Sequence, residues 1–117
     1  MDFKKQKPIY QQIADTLCER IASGEWEAGG RMPSVRDVAV ELGVNPNTVV
    51  RSFDHLQAAE IIYNKRGVGY FVSDDAADRI LSLRQREFFE EELPDFAKRL
   101  KLLNLTIEDI RKHIEEQ

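Results

Sequence analysis

Hydrophobic residues recur every four positions near the start of the chain. This spacing places them on one face of a helix, so it predicts a first helix over residues 8–23, with Gly24 as its stop. The apolar face consists of Ile9, Ile13, Leu17 and Ile21. A helix with one such face is stabilised by the core that covers it.

A second and a third helix follow the first. The second begins at Ser34, has Asp37 three residues further on and ends at Gly43, which is typical of a short capped helix. The third begins at Asn45, a cap, and at Pro46, which suits the first helical position. Its buried stripe is Val49, Phe53 and Leu56. Two short helices joined by a glycine-containing turn are the unit that presents a helix to a DNA groove.

Two short runs typical of β-strands come next, separated by a loop over 64–69 with two basic residues and two glycines. Three helices followed by such a hairpin predict a winged helix-turn-helix, in which residues 61–73 form the wing. Lys65 and Arg66 supply positive charge at its tip. Gly67 lets the backbone approach a groove without a clash from a Cβ atom.

After the wing, a long helical pattern that should be interrupted at Pro94 precedes a last predicted helix starting at Thr106. We therefore expect a mainly α fold with a small β-hairpin, made of a winged helix-turn-helix domain over 1–73 and a helical dimerisation segment over 74–117. So short a segment is hard pressed to build a core of its own, so a second copy is the expected cover. The predicted dimer interface consists of Leu81, Phe88, Phe89, Leu93, Phe96, Leu100, Leu103, Ile107 and Ile110.

The net charge of −4 comes from residues 74–117, because basic and acidic residues balance over 1–73. A neutral DNA-reading domain predicts modest non-specific affinity, since that affinity grows with the number of phosphates neutralised. No apolar run approaches the roughly 18 residues of a membrane span, and no secretory leader is recognised. We expect a cytoplasmic protein that does not associate with membranes.

The sequence offers no arrangement of residues for catalysis or metal binding. His55 and His113 lie far apart, and Cys18 is on another predicted helix, so no metal site is expected. The three glutamates over 90–92 occupy consecutive helical positions, which point in different directions. We therefore expect no cofactor and no enzymatic activity.

Several motifs are similar, in order and in spacing, to a known family. Those that resemble the DNA-binding domain of the GntR family are PIYQQI (8–13), SGE (23–25), MPSVR (32–36), AVELGV (39–44) and RGVGYFV (66–72). Those that resemble its YtrA-like branch are GVNPNTV (43–49) and the segment around ELP (92–94). The resemblance supports the winged helix-turn-helix and implies binding to operator DNA.

The resemblance also implies roles for individual residues. Arg36 corresponds to an arginine that contacts operator bases. Pro46 and Val50 are departures, because many family members carry arginines that reach DNA at these positions. Gly30 replaces an aspartate that is common before Arg31. The other positions that match DNA contacts of the family are Asn45, Asn47, Thr48, Arg66 and Gly67.

Two further cations are predicted to contact DNA from their own placement. Arg51 faces outward on the third helix, where it can reach a phosphate, and Lys65 lies in the wing. Arg51 has an alternative, since it can pair with Asp54 or His55 along its own helix. Lys65 and Arg66 can likewise be ordinary solvated charges of a hairpin.

These features together predict a sequence-specific DNA-binding transcriptional regulator. The leading hypothesis is a homodimeric repressor that binds an inverted-repeat operator in double-stranded DNA through the helix 45–58 and the wing. The resemblance also implies a small-molecule effector, which the sequence does not identify. The alternative is a winged-helix adaptor that binds proteins and not DNA.

Overall fold

The structure, a computed structural model, describes residues 7–117. Over this range the chain is mostly helical and forms one antiparallel hairpin. The strands are β1 (Ile62–Lys65) and β2 (Gly69–Val72), and a π-helical turn (Phe88–Glu92) lies between α4 and α5. The predicted fold class is confirmed. The helices are α1 (Ile9–Ala22), α2 (Val35–Leu42), α3 (Pro46–Ala58), α4 (Ala76–Glu87), α5 (Leu93–Leu102) and α6 (Ile107–Glu115).

The described chain divides into two compact units, residues 7–83 and residues 84–117, which we call the head and the tail. The first part of α4 therefore belongs to the head. Its apolar side chains Ala76, Ile80 and Leu83 are buried in the hydrophobic core of that unit. The first compact unit thus continues into α4, beyond the change of pattern that follows the wing.

The core of the head forms from the stripe that the sequence predicts on α3. Val49, Phe53 and Leu56 are 0% exposed and pack in one cluster with Leu17 of α1 and Val38 of α2. Full burial of a large apolar side chain contributes about 1.5–3 kcal/mol. The orientation of α3 is therefore set by tertiary packing far more than by its helix propensity.

Local side-chain caps start α2 and α3, and a glycine ends α2. Ser34 accepts a hydrogen bond from the N–H of Asp37 at 3.0 Å, and the Asp37 carboxylate accepts one from the N–H of Ser34 at 3.4 Å. Gly43 ends α2 with a φ of 66°, a backbone conformation that favours glycine. Asn45 accepts the N–H of Asn47 at 2.8 Å and caps α3. The predicted starts of both helices are confirmed.

The strands of the wing are longer than the sequence pattern predicts. Lys65 is the last residue of β1 and lies opposite Gly69, so the connecting loop shrinks to residues 66–68. The N–H of Val68 donates to the carbonyl of Lys65 at 2.9 Å and closes a tight turn. The predicted loop over 64–69 is therefore too long, and Lys65 belongs to a strand.

The segment before α2 pairs with β2 and fastens the wing to the head. The N–H of Gly29 donates to the carbonyl of Val72 at 2.8 Å, and the N–H of Val72 donates to the carbonyl of Gly30 at 2.9 Å. The N–H of Met32 donates to the carbonyl of Tyr70 at 2.8 Å. Glycine-rich sequence carries no strand pattern, so the sequence analysis does not reveal this pairing.

The helix of the tail changes its geometry before Pro94. A proline has no N–H, and inside an α-helix its ring clashes with the carbonyl four residues earlier. The π-helical turn widens the helix at this place, and the N–H of Leu93 donates to the carbonyl of Phe88, five residues earlier. Pro94 then lies in the first turn of α5, where an N–H is not needed. The predicted interruption is thus observed.

A second capping box starts α6. Thr106 accepts the N–H of Asp109 at 3.3 Å, and the Asp109 carboxylate accepts the N–H of Thr106 at 2.9 Å. This backbone hydrogen bond, followed by one from the Thr106 hydroxyl at 3.0 Å, lowers the pKa of Asp109. The predicted start of the last helix is confirmed.

Candidate nucleic-acid interface

The first turn of α3 presents polar groups to solvent. Asn45 and Asn47 are exposed, and Thr48 is half-buried. The first N–H groups of a helix lack acceptors within the helix and carry the positive end of its dipole, which favours an anion such as phosphate. The cap occupies the side-chain oxygen of Asn45, so its amide NH₂ remains for an external acceptor.

A buried serine holds α3 against α1. The side chain of Ser52 is 0% exposed, and its hydroxyl oxygen lies 2.7 Å from the carbonyl of Tyr10 and 3.1 Å from that of Thr48. A buried hydroxyl costs free energy unless it is hydrogen-bonded, and here both acceptors are backbone groups of fixed position. Ser52 therefore fixes the rotation of α3, a role that the sequence analysis missed.

Arg51 lies over the ring of Tyr10, with its Cζ 4.1 Å from the ring centroid. His55 approaches the same ring edge-on, at 6.0 Å between centroids. Over residues 7–117, Arg51 forms no ion pair with Asp54 and no bond with His55, so the alternative pairing suggested by the sequence is not seen. The cation–π contact holds the exposed guanidinium next to the first turn of α1.

Arg36 and Arg66 are exposed cations on two different elements of the head. Arg36 is the second residue of α2, and Arg66 lies at the tip of the wing. Within residues 7–117 neither guanidinium forms a hydrogen bond or an ion pair with the protein. Each therefore presents its five N–H donors to an external acceptor.

The tip of the wing is shorter than the sequence pattern predicts. Gly67 has a φ of 77°, which the tight turn requires and a side chain would strain. The ammonium group of Lys65 lies 4.5 Å from the ring centroid of Phe71, which stacks on Tyr63. Lys65 is thus held on the face of the hairpin, and the tip itself consists of Arg66, Gly67 and Val68.

Arg31 supports the wing from outside the hairpin. Its guanidinium donates to the carbonyl of Val68 at 2.8 Å. A Cβ atom added to Gly69 would lie 3.3 Å from Nε of Arg31, which is tighter than most contacts of a Cβ atom, so the glycine makes room for this side chain. The partners are 37 residues apart, and no spacing signal in the sequence marks the contact.

An ion pair connects α1 with α2. Arg20 donates to Glu41 at 2.8 Å and lies 3.8 Å from Glu25, while its Cζ is 5.9 Å from the ring centroid of Trp26. The hydrogen bond to Glu41 is the largest cause that raises the pKa of Arg20. The charge is partly solvated, so the pair orients the two helices more than it stabilises them.

The residues predicted for a dimer interface differ in exposure. Leu100 is buried, whereas Leu93 and Ile110 are half-buried. The remaining six are exposed, namely Leu81, Phe88, Phe89, Phe96, Leu103 and Ile107. The tail exposes three more large apolar side chains that the sequence analysis did not name, Leu102, Leu105 and Ile114. So many apolar side chains on a short segment are typical of an interaction surface.

Within residues 7–117, no group of three or more His, Cys, Asp or Glu side chains is arranged to hold a metal ion. No helix in this described part of the chain is both long and apolar enough to cross a lipid bilayer.

The chain matches known regulators over most of its length. Residues 9–72 match the family described as bacterial regulatory proteins, gntR family. The chain is 36% identical over 112 residues to the HTH-type transcriptional regulator YhcF of Bacillus subtilis, which covers 96% of this chain and 91% of YhcF. It is also 36% identical over 76 residues to the HTH-type transcriptional repressor YtrA of Bacillus subtilis, which covers 65% of this chain and 58% of YtrA.

The fold is shared with a solved regulator. A transcriptional regulator of the GntR family from Bacteroides thetaiotaomicron superposes with a TM-score of 0.78 and is 47% identical, covering 93% of this chain and 95% of that one. The resemblance to the GntR family and to YtrA-like members is confirmed. The relatives are regulators and not enzymes, and they do not favour the adaptor hypothesis. The chain therefore belongs to the gntR family of bacterial regulatory proteins and is a DNA-binding transcriptional regulator.

Proposed function

We propose that this regulator is a homodimeric cytoplasmic repressor that binds an inverted-repeat operator. In this proposal the first turn of α3 enters the major groove and the tip of the wing contacts the flanking strand. Two tails pair and place the two heads on successive half-sites. A small effector would act by changing the spacing of the heads, from a site between paired tails.

The observation that carries the proposal is the set of unpaired polar groups in one compact unit. The guanidinium groups of Arg36 and Arg66 belong to the head, as do the side-chain NH₂ groups of Asn45 and Asn47 at the start of α3, and none of these donors has an acceptor within residues 7–117. Ser52 fixes the rotation of α3, so the polar groups at the start of this helix stay exposed while its apolar face stays in the core. Preorganised donors of this kind suit the fixed pattern of phosphates and base edges on duplex DNA.

Pairing of two copies is supported by the exposed apolar surface of the tail. Phe89 is exposed by 63% and Ile107 by 69%, and each would be removed from water by a partner of similar character. A second copy of the same tail supplies such a partner with closed two-fold symmetry. Two-fold symmetry of the protein in turn predicts a palindromic operator. The name of the relative YtrA, a repressor, supports repression.

The DNA-binding role is tested by selecting bound sequences from random duplex DNA and measuring their affinity by fluorescence anisotropy. We expect an inverted repeat with half-site centres about one helical turn, or a multiple of it, apart. Arg36→Ala should weaken binding by about 1–3 kcal/mol if Arg36 contacts a base. Arg111→Ala is the matched control, because Arg111 lies in α6 and pairs with Glu108 there.

Salt dependence distinguishes a DNA-binding role from the adaptor alternative. Each phosphate contact contributes about −0.9 to the slope of log affinity against log salt. Arg66→Ala should therefore reduce the magnitude of the slope by about 1. Retention on DNA that does not depend on salt, or the same loss of affinity for Arg111→Ala as for Arg36→Ala, contradicts the proposed interface.

The dimer is tested with the double variant Phe88→Ser and Phe89→Ser. These side chains are exposed, so the change leaves the fold of the head intact and removes apolar surface from the proposed seam. We expect a monomer in sedimentation experiments and at least about tenfold weaker binding to the full operator, with half-site binding unchanged. A variant that remains a dimer with full affinity would rule out this seam.

A further inference from the structure

An apolar side chain interrupts the polar outer surface of α3. Val50 is 41% exposed, although it lies one turn after Pro46 and three residues after Asn47, in the part of α3 nearest its start. Its helical neighbours on the exposed side are Asn47 and Asp54, both exposed and polar. An isolated exposed valine is ordinary on a protein surface, but here it stands among the groups proposed to meet DNA.

The packing of α3 keeps Val50 outside. Val49 and Phe53, on the side of the helix that faces the core, are 0% exposed. The hydroxyl of Ser52 lies 2.7 Å from the carbonyl of Tyr10 in α1, so α3 cannot rotate to bury Val50 without losing this hydrogen bond. The packing of the core thus keeps Val50 exposed, and its two methyl groups are available to a ligand that binds the outer surface of α3.

A valine can recognise a base pair favourably only through an apolar contact. It has neither a donor nor an acceptor, so the polar edges of the bases give it no favourable contact. In the major groove of unmodified DNA, the apolar group on the base edges is the 5-methyl group of thymine. We propose that Val50 reads a thymine methyl group in each operator half-site, an inference that rests on the proposed placement of α3.

The proposal predicts what the operator contains. The selected half-site should hold an A·T pair at the position that faces Val50. Replacement of that thymine by deoxyuridine removes the methyl group and leaves the pairing edge unchanged. We expect one such replacement to weaken binding about fourfold, the value of one apolar carbon withdrawn from water. Deoxyuridine at thymines outside the half-sites should have no effect.

A double-mutant cycle assigns this sensitivity to Val50. Val50→Ala should bind the thymine and deoxyuridine operators equally, because the contacting methyl groups of the protein are gone. Val68→Ala is the matched control, since Val68 is also an exposed valine, 50% exposed, but lies in the wing. The Val68 variant should keep the fourfold difference. Circular dichroism checks that both variants are folded.

The outcomes separate the two proposals. Tight binding to a selected operator with no deoxyuridine effect at any thymine overturns the role of Val50 and leaves the proposed function intact. A deoxyuridine effect that persists in Val50→Ala overturns it in the same way. Failure of the intact protein to enrich any sequence overturns the proposed function itself. Loss of the deoxyuridine effect in Val50→Ala alone supports the methyl contact.

Discussion

The head and the tail both carry helical apolar patterns, but the head buries far more of its apolar side chains than the tail does. Among the described residues, every buried hydrophobic side chain except Leu100 lies within residues 7–83. Phe53 of the head is 0% exposed, whereas Phe89 of the tail is 63% exposed. A similar amphipathic pattern thus gives a finished core in one unit and an uncovered surface in the other.

The two units also differ in how their polar contacts are made. Within the head, polar contacts connect residues that are far apart in sequence, such as Arg31 and Val68. In the tail, Arg111 pairs with Glu108, one turn away in the same helix. Long-range contacts fix a surface in place, while local contacts only shape a helix. We therefore expect the head to be stable alone and the tail to gain order from a partner.

Truncation is the strongest test of this comparison. A chain that ends after Ser73 loses Ala76, Ile80 and Leu83 from the core of the head. Loss of a buried isoleucine or leucine costs about 2–5 kcal/mol, so without Ile80 and Leu83 this fragment should be largely unfolded. A chain that ends after Glu87 keeps α4 and should unfold cooperatively. Thermal unfolding followed by circular dichroism measures both.

Operator binding completes the truncation experiment. The fragment that ends after Glu87 should be monomeric and should bind a full operator far more weakly than the intact chain. If it binds as tightly as the intact chain, the dimer proposal is wrong. If the fragment that ends after Ser73 is as stable as the longer one, the assignment of the first part of α4 to the head is wrong.

A smaller effect is expected when one long-range contact is removed. Arg31→Met replaces the guanidinium with an apolar side chain of similar reach, so the hydrogen bond to the carbonyl of Val68 is lost. The tip of the wing should become less ordered, and operator affinity should fall roughly threefold to tenfold, as for one hydrogen bond. Hydroxyl-radical footprinting should show the loss of protection at the flanks of each half-site.

Matched variants show whether the effect of Arg31 acts through the wing. Arg31→Lys keeps the positive charge but has a shorter side chain. Its operator binding should therefore keep the salt dependence of the unmodified protein, while the protection at the flanks of each half-site is lost. Arg111→Met removes the local ion pair of α6 and should leave the footprint unchanged. A uniform loss of protection over the whole operator in Arg31→Met would point to general destabilisation and contradict a positioning role.

The smallest expected effects come from the two capping boxes. Ser34→Ala removes the cap of α2 in the head and should lower the free energy of unfolding by about 1 kcal/mol. Thr106→Ala removes the equivalent cap of α6 and should leave the unfolding of the head unchanged. Hydrogen exchange should instead show faster fraying at the start of α6. Equal effects of both variants on global unfolding would contradict the separation of head and tail.

The cap of α6 should also respond to pH. The pKa of Asp109 is lowered in the folded chain, so its contribution is fully present above the usual carboxyl pKa of about 4. The contribution is lost as the pH falls through the lower folded value. The hydrogen-exchange protection factor at the start of α6, corrected for the intrinsic exchange rate at each pH, should therefore be constant near neutral pH and fall only under strongly acidic conditions. The Asp109→Asn variant, which does not titrate there, should not show this fall.

Sequence patterns predicted the parts of this fold that depend on near neighbours. The caps at Ser34, Asn45 and Thr106 follow from residues two or three positions away, and the stripe of α3 follows from helical period alone. These signals were enough to define the helices and the family. The DNA-contacting and dimer-interface roles of individual residues stay predictions, because they depend on partners that bind from outside the chain.

The contacts that the sequence did not predict join distant parts of the chain. Arg51 meets Tyr10 only because α1 and α3 cross, and Arg31 meets Val68 only because the segment before α2 pairs with β2. The extent of the head was also not predictable. Leu83 and Phe88 occupy similar apolar positions in the sequence, and tertiary packing alone decides that the first is buried and the second is exposed.

The π-helical turn before Pro94 has a consequence for comparing members of this family. Such a turn holds one residue more than an α-helical turn of similar rise. A homologue without the proline could therefore be one residue shorter here and still direct its later side chains the same way. A single gap in an alignment at residues 88–92 would then record a change of helix type, while the surface that follows is conserved.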